Sequence, residues 1–564
     1  ACGLVAKSTG LILFLTVLLT AFAATRIVDP FSGEMRLEID PSANRLLSED
    51  NEARIFYDRV RRMFGSDETL VITLTSDDIF TADNIRRVER ITRRIDELAP
   101  VHHVSSLANA LDIRSIDDGL DIAPFIENVS DDPASINAIR QRVLDNPVYA
   151  GSLVSKAGDA TALVVHFHDI SDREYIRSGL HADIQAILDE EKGDTTVWLS
   201  GVPHFKVAII DILIHDLIWT PPLITLILAI VLAVSFRTLI GVVVPLLTVG
   251  AGVIISLGLI TSLGYSLSMI SALVPPLLMI LGLSYTVHVV SEYHQKRHAA
   301  PDRAVLLRET LREVVLPVLL TGLTTIAGFV ALIVNPITAV REFGILASIG
   351  VAIVTLLSVT LTPALLKLLD RSKPDAGSAS SNASRAFDRF VDRIALFDLN
   401  NRTRIFTLSG ILFAVALLGI NNIRVSTDFM ESFDAGSEVR QGFEIVNEKL
   451  GGANPLYIVM EGSRPSAFKE PENLRALREL QDWLEAQPEI GGTTSVADYL
   501  MLVNQAFNDN DPAFYSIPES RTLITQLLFL SANEELDRIV DSRYQTTNII
   551  VRSRTINSDD MQAL

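Results

Sequence analysis

Three stretches decide the fold: Leu217–Phe236 (LIWTPPLITLILAIVLAVSF), Leu239–Ile260 (LIGVVVPLLTVGAGVIISLGLI) and Leu267–Val290 (LSMISALVPPLLMILGLSYTVHVV). Each is close to the ~20 consecutive apolar residues that cross a bilayer core as a helix. Val314–Val334 and Gly344–Leu369 complete a group of five. Single runs stand at Thr9–Thr25 and Ile405–Ile420, which makes seven spans. Five such runs within about 150 residues leave too little polar sequence to cover them in water, so the chain reads as a multi-span membrane protein. Ala21-Phe22-Ala23 permits a signal-peptide reading of the first run; the matching span at Ile405–Ile420 argues for an uncleaved helix instead.

Composition agrees. The 564 residues are 48% hydrophobic and carry a formal net charge of −20, with a mean hydropathy of +0.33. Very apolar segments must therefore alternate with acidic, water-facing ones. The charge argues against a nucleic-acid partner, which needs a basic footprint. The single cysteine, Cys2, excludes a disulfide framework and a multi-cysteine metal site. There is no Walker loop, nucleophile elbow or H-E-x-x-H motif, so neither ATP hydrolysis nor covalent catalysis has support. Neither enzyme chemistry nor a cofactor is expected.

Lys and Arg in short loops orient the spans. Lys296, Arg297, Arg303, Arg308 and Arg312 follow the fourth, and Lys367, Arg371, Lys373, Arg385, Arg389, Arg393, Arg402 and Arg404 follow the sixth. Both segments should face the cytoplasm, which puts Arg26–Lys206 and everything after Ile423 outside.

The two outer segments resemble each other. Arg36–Asp40 (RLEID) matches Arg424–Asp428 (RVSTD), Phe80–Arg86 matches Phe468–Arg475, and Val104–Leu111 (VSSLANAL) matches Thr493–Leu500 (TTSVADYL), at a nearly constant offset of about 389 residues. An internal twofold repeat follows. The counterpart of the second span would then lie beyond Leu564, so the chain is expected to be a fragment lacking the last five transmembrane helices. In the first outer segment, strands at Thr69–Thr75, Val101–Leu107, Thr161–Phe167 and Thr195–Ser200 alternate with helices at Thr81–Ala99 and Tyr175–Glu191, and a helix is inserted at Asp131–Asp145. Two β-α-β units predict a split, ferredoxin-like α+β domain. The expected layout is residues 1–29 first span, 30–206 first outer domain, 207–371 five-helix bundle, 372–403 cytoplasmic linker (flexible over Ser372–Ser384), 404–423 seventh span and 424–564 an incomplete second outer domain.

Three motifs go beyond composition: Thr321–Phe329 (TGLTTIAGF), Arg341–Gly350 (REFGILASIG) and Gly282–Tyr293 (GLSYTVHVVSEY). With the layout of one span, an outer domain, five spans and the same again, they resemble the RND superfamily in its MmpL-like, hydrophobe-exporter branch. The five spans are also similar to the sterol-sensing domain. The resemblance implies an RND fold in the bacterial inner membrane, periplasmic outer domains, and proton-driven movement of a lipid or other hydrophobic molecule. A periplasmic partner protein and a homo-oligomer are both compatible with it. The alternative is a non-transporting, sterol-sensing-like sensor or scaffold; a SecD/SecF-type accessory lacks its signature in the spans.

Family members often carry Asp where this chain has Ser284. Proton-relay candidates are His288, Ser284, Tyr285, Thr324 and Thr325. An ionisable residue inside a span is a functional hypothesis by default, and imidazole exchanges protons near neutral pH as a Ser hydroxyl does not. Asp211, His215 and Asp216, before the second span, are coupling candidates. Pro221-Pro222 and Pro275-Pro276 read as kinks within spans, and Gly201-Val-Pro203 as a turn. His102, His103, His166 and His168 read as surface and strand residues, and a hydrophobic pocket is expected within the first outer domain or between it and its repeat.

Overall fold

The structure, a computed structural model, describes residues 8–40, 42, 51–66, 68–116, 119–126, 129–168, 170–297, 303–370, 392–394, 396–420, 430, 433–530, 534–555, 557 and 561. The segments 372–384 and 424–428 lie outside them. The chain divides into two compact units, 1–39 with 215–426 and 40–214 with 427–564.

The first unit is helical. Seven helices among the described residues are long and apolar enough to cross a bilayer: Thr9–Ile27, Val202–Phe236, Leu239–Ser262, Ser271–Lys296, Val305–Val334, Thr338–Leu369 and Arg402–Gly419. This is a multi-pass membrane protein. Thr338–Leu369 is the most buried, with residues from Ala339 to Leu366 sealed against its neighbours. Small residues allow this, because helices in lipid associate by close packing rather than by hydrophobic exclusion from water. A Cβ on Gly252 or Gly282 would strike Val354, one on Gly322 would strike Thr355, and one on Gly350 would strike Leu278. Gly258 lies against the backbone of Ala23 and so docks the first helix. Inside the bundle the Thr362 hydroxyl donates to Thr248 Oγ1 at 3.1 Å.

Three local expectations need correction. Pro275 and Pro276 are not an internal kink: the helix begins at Val274 and both prolines sit in its first turn, where the missing N–H is not needed. The helix ending at Phe236 begins at Val202, not near Leu217, because Pro203 suits a first turn. The strand before it stops at Gly201, which has a positive φ of 103° and whose Cβ would strike the Thr69 carbonyl. The helix expected over Tyr175–Glu191 is two, Asp172–Arg177 and Leu180–Glu191, broken at Gly179 in the left-handed region (φ 72°).

The second unit is α+β. Its first sheet runs Val101–Ser106, Ala160–Phe167, Leu70–Thr75, Thr196–Ser200, with every pairing antiparallel. Its second runs Ile490–Thr494, Thr546–Ser553, Asn454–Glu461, again antiparallel. The helices Ala82–Asp96 and Pro471–Glu485 carry apolar stripes of helical spacing: Ile85, Val88, Ile91 and Ile95 in one, Leu474, Leu477 and Leu484 in the other, all buried. Helices and sheets share one hydrophobic core.

Local bonding recurs along this unit. Asn84 Nδ2 donates to the Asp78 carbonyl and Asn473 Nδ2 to the Ala467 carbonyl, both at 2.7 Å. Ser106 N donates to Asn109 Oδ1 and Ser495 N to Asp498 Oδ2, both at 2.8 Å. The Thr161 hydroxyl donates to the Leu153 carbonyl at 3.0 Å and the Thr547 hydroxyl to the Ile539 carbonyl at 3.1 Å. The first two pairs are 389 residues apart and the third 386.

Candidate functional site

The α+β unit holds a cavity of about 220 Å³ lined mainly by apolar side chains. Its walls are the two central strands. In Ala160–Phe167 the odd positions Leu163 and Val165 pack into the core while Val164 and His166 line the cavity. In Thr546–Ser553 the odd positions Ile549 and Val551 are buried and Ile550 and Arg552 line it. This is the two-residue alternation of a strand. Their neighbours by register complete the wall: Val71 and Ser105 opposite Val164, and Tyr457 and Thr494 opposite Ile550.

Beside several hydroxyl side chains, the cavity is lined by His166, Arg538 and Arg552. Arg552 Nη1 donates to Thr494 Oγ1 at 3.1 Å, and its Nε is buried without a hydrogen-bond partner. Burial holds the guanidinium below its ordinary range. His166 Nδ1 is likewise buried and unpartnered. Burial first, then Arg538 and the neighbouring His103 and His102, push its pKa well below 6.5. Among the described residues no Asp or Glu lines the cavity. The carboxylates whose charge reaches Arg552 are engaged elsewhere: Asp498 accepts from Gln481 at 2.7 Å and Arg478 at 2.8 Å, and Glu485 accepts from the Thr493 hydroxyl at 2.5 Å. His166 stands on a strand, as expected, and its side chain lines the cavity. A clue was present in the sequence, since His166 directly follows the apolar run Leu163–Val165 and Arg552 the run Ile549–Val551.

The relay candidates lie on two helices of the helical unit. Tyr285 is buried at 2% exposure, and its hydroxyl donates to Thr325 Oγ1 at 3.4 Å. Thr325 and Thr324 donate to the Thr321 carbonyl at 2.8 and 2.9 Å. Ser284 and His288, four residues apart, share one exposed face of their helix, and Thr324 is exposed as well. The structure therefore joins Tyr285 to Thr325 and leaves His288 without a hydrogen bond to either. Asp211, His215 and Asp216 are exposed; the His215 ring lies 6.2 Å from that of Trp219.

Sequence reading missed a second polar cluster. Asp370, closing the helix Thr338–Leu369, is buried and accepts from the Tyr293 hydroxyl at 3.0 Å and from Arg297 at 3.2 Å. A buried charge needs such partners. Among the described residues no group of three His, Cys, Asp or Glu side chains is placed to hold a metal.

Comparison with known proteins places this geometry. The model of the MMPL family matches residues 50–395, more than half of the chain. SCO5905, a membrane protein of Streptomyces coelicolor, is 23% identical over 384 residues, which cover 66% of this chain and 43% of the relative. MJ1562, a membrane protein of Methanocaldococcus jannaschii, is 21% identical over 371 residues, 64% of this chain and 91% of the relative. The hopanoid transporter HpnN of Rhodopseudomonas palustris is 30% identical over 126 residues, 22% of this chain and 14% of the relative. The chain thus spans under half the length of two of these relatives and most of the third. The match takes in five of the seven apolar helices and the first α+β segment and covers more than half of the chain, which therefore belongs to the MMPL family.

Proposed function

We propose that this protein is a proton-driven RND-type secondary transporter that exports lipids or other hydrophobic molecules across or out of the bacterial inner membrane, with both α+β segments in the periplasm. The observation that carries the reading is the apolar cavity between the two central strands, where a hydrophobic molecule is shielded from water. The similarity to HpnN, a hopanoid transporter, supports a lipid-like substrate.

The strand order of the first sheet supports the ferredoxin-like reading: numbered along the chain, its strands lie 2-3-1-4. The second sheet repeats the first three places of that order, and with the recurring hydrogen bonds this supports an internal duplication. The proposed domains are the first span, two outer segments of common ancestry, a five-helix bundle, a cytoplasmic linker and the seventh span.

In this account His288 carries the proton, because Ser284 cannot, while Tyr285, Thr325 and Thr324 order the face beside it. Asp211, His215 and Asp216, near the start of a membrane helix, pass motion between the spans and the outer domain. The test is His288→Ala in the full-length protein, with substrate movement and proton flux measured together. Loss of both at normal abundance supports the relay. Undiminished flux would leave His288 a packing residue, and ligand binding without any proton-coupled movement in the unmutated protein would favour a sensor.

A further inference from the structure

The cavity is apolar, yet the charged groups that line it among the described residues have one sign. Arg552 reaches it from the second central strand and His166 from the first, and Arg538 also lines it. The protein as a whole carries a net charge of −20, so a cavity lined, among the described residues, by two arginines and no Asp or Glu runs against the general composition. Arg552 is the informative residue. It has five N–H donors, and the one side-chain acceptor given to it among the described residues is Thr494 Oγ1; its Nε has none. A guanidinium in an apolar wall, with the nearby carboxylates Asp498 and Glu485 bonded to other groups, is costly unless something else supplies the acceptor. A structural role would be served by an ion pair, as Lys206 shows in the same unit with Glu68 at 2.7 Å and Asp172 at 2.6 Å.

Resting on the export reading above, we infer that the cavity recognises an amphiphile with an oxyanion head, carboxylate or phosphate: the head accepts from Arg552, with the His166 ring facing the same space, and the chain lies against Val71, Val164, Leu450 and Ile550. Guanidinium suits such a head because its fork matches two oxygens at once. At about 220 Å³ the cavity is smaller than the ~300–1,000 Å³ of a typical small-molecule site, so it holds the head and the first part of a chain rather than a whole lipid. Specificity then resides in the head, and bulk hydrophobicity supplies only affinity.

The test uses the full chain in lipid nanodiscs and three photoreactive ten-carbon probes: a carboxylate, the matching alcohol and the matching trimethylammonium. Labelled residues are mapped by mass spectrometry. The carboxylate is expected to label Val164, Tyr457 or Ile550 at least tenfold more than the alcohol, and the ammonium least. Arg552→Gln should bring carboxylate labelling down to the alcohol's level, while Arg552→Lys keeps most of it. Unlabelled decanoate and decyl phosphate then compete, and whichever displaces the probe at lower concentration identifies the head. Equal labelling by acid and alcohol in the unmutated protein overturns the inference even if Arg552→Gln fails to fold. So does carboxylate labelling unchanged in Arg552→Gln, or displacement by neither competitor. Absence of cavity labelling by every probe would instead strike the hydrophobe-export reading itself.

Discussion

His166 and Arg552 occupy corresponding places in the two central strands. They are 386 residues apart, each stands one residue before the end of its central strand, and each faces the cavity between the sheets. The two strands also share one burial pattern along all eight residues. The same offset pairs Ser152 with Arg538 and Leu153 with Ile539 on the cavity wall. The first segment thus contributes a histidine and a serine where the second contributes two arginines. The pairing makes a cavity whose two sides are alike in shape and unlike in charge, which is what a site needs to orient an amphiphile.

Equivalent core positions should cost alike. Leu163 and Ile549 lie 386 residues apart, both fully buried on the helix-facing side of their strands. Truncation of either to Ala should destabilise the α+β unit by about 2–5 kcal/mol. Thermal unfolding followed by far-UV circular dichroism checks this. A large loss at one and none at the other would show that the two sheets are not held in the same way.

Helix docking is testable with two glycines on one helix. A Cβ at Gly258 meets the Ala23 backbone at 2.5 Å, whereas one at Gly250 meets nothing within 4 Å. Gly258→Ala should therefore cost about 1–3 kcal/mol by overpacking, because backbone cannot yield as a side chain can. Gly250→Ala should be neutral. Thermal stability of the purified protein in nanodiscs, compared across the two variants, reads the difference.

Acidification should weaken the α+β unit through His166. Its folded pKa is pushed well below the 6.5 of an exposed histidine, mainly by burial. In the window from about 6.5 down to that lowered value the unfolded chain binds a proton that the folded one does not, so stability rises with pH there and falls on acidification. The limiting slope is about 1.4 kcal/mol per pH unit for one proton. Denaturation midpoints across this range should shift less in His166→Phe than in the unmutated protein.

Topology follows from the Lys and Arg of the short loops. After Cys2→Ser, single cysteines at Ser130 and Arg308, both exposed, should react with a membrane-impermeant thiol reagent from opposite sides. Ser155, at 2% exposure, is buried and unsuited to this. Reaction of both from the outside would overturn the orientation.

Much of this was legible in the chain itself. The apolar runs located the spans because a bilayer imposes one length scale. The strands Leu70–Thr75 and Ala160–Phe167 lay within a residue of their expected bounds because their flanking polar turns are strong stops. Helix starts were harder. Pro203 and Pro275 each look like breakers in an apolar run, and only the backbone before them shows that they open helices. The cavity was foreseen in kind but not in charge. His166 and Arg552 lie far apart in sequence, and it takes the pairing of both central strands to bring them to one wall. Asp370 was equally hidden, since nothing at the end of an apolar run announces that Tyr293 and Arg297 will meet it.

On the proposed function, hydrophobic cargo passes through the cavity between the two sheets, and filling that cavity should block it. Ile550→Trp replaces a half-buried wall residue by one large enough to occupy the space. Export of a labelled amphiphile from cells making the full-length protein should fall at least tenfold, with abundance and thermal stability near those of the unmutated protein. Export that continues unchanged through a cavity shown to be filled would rule out passage by this route.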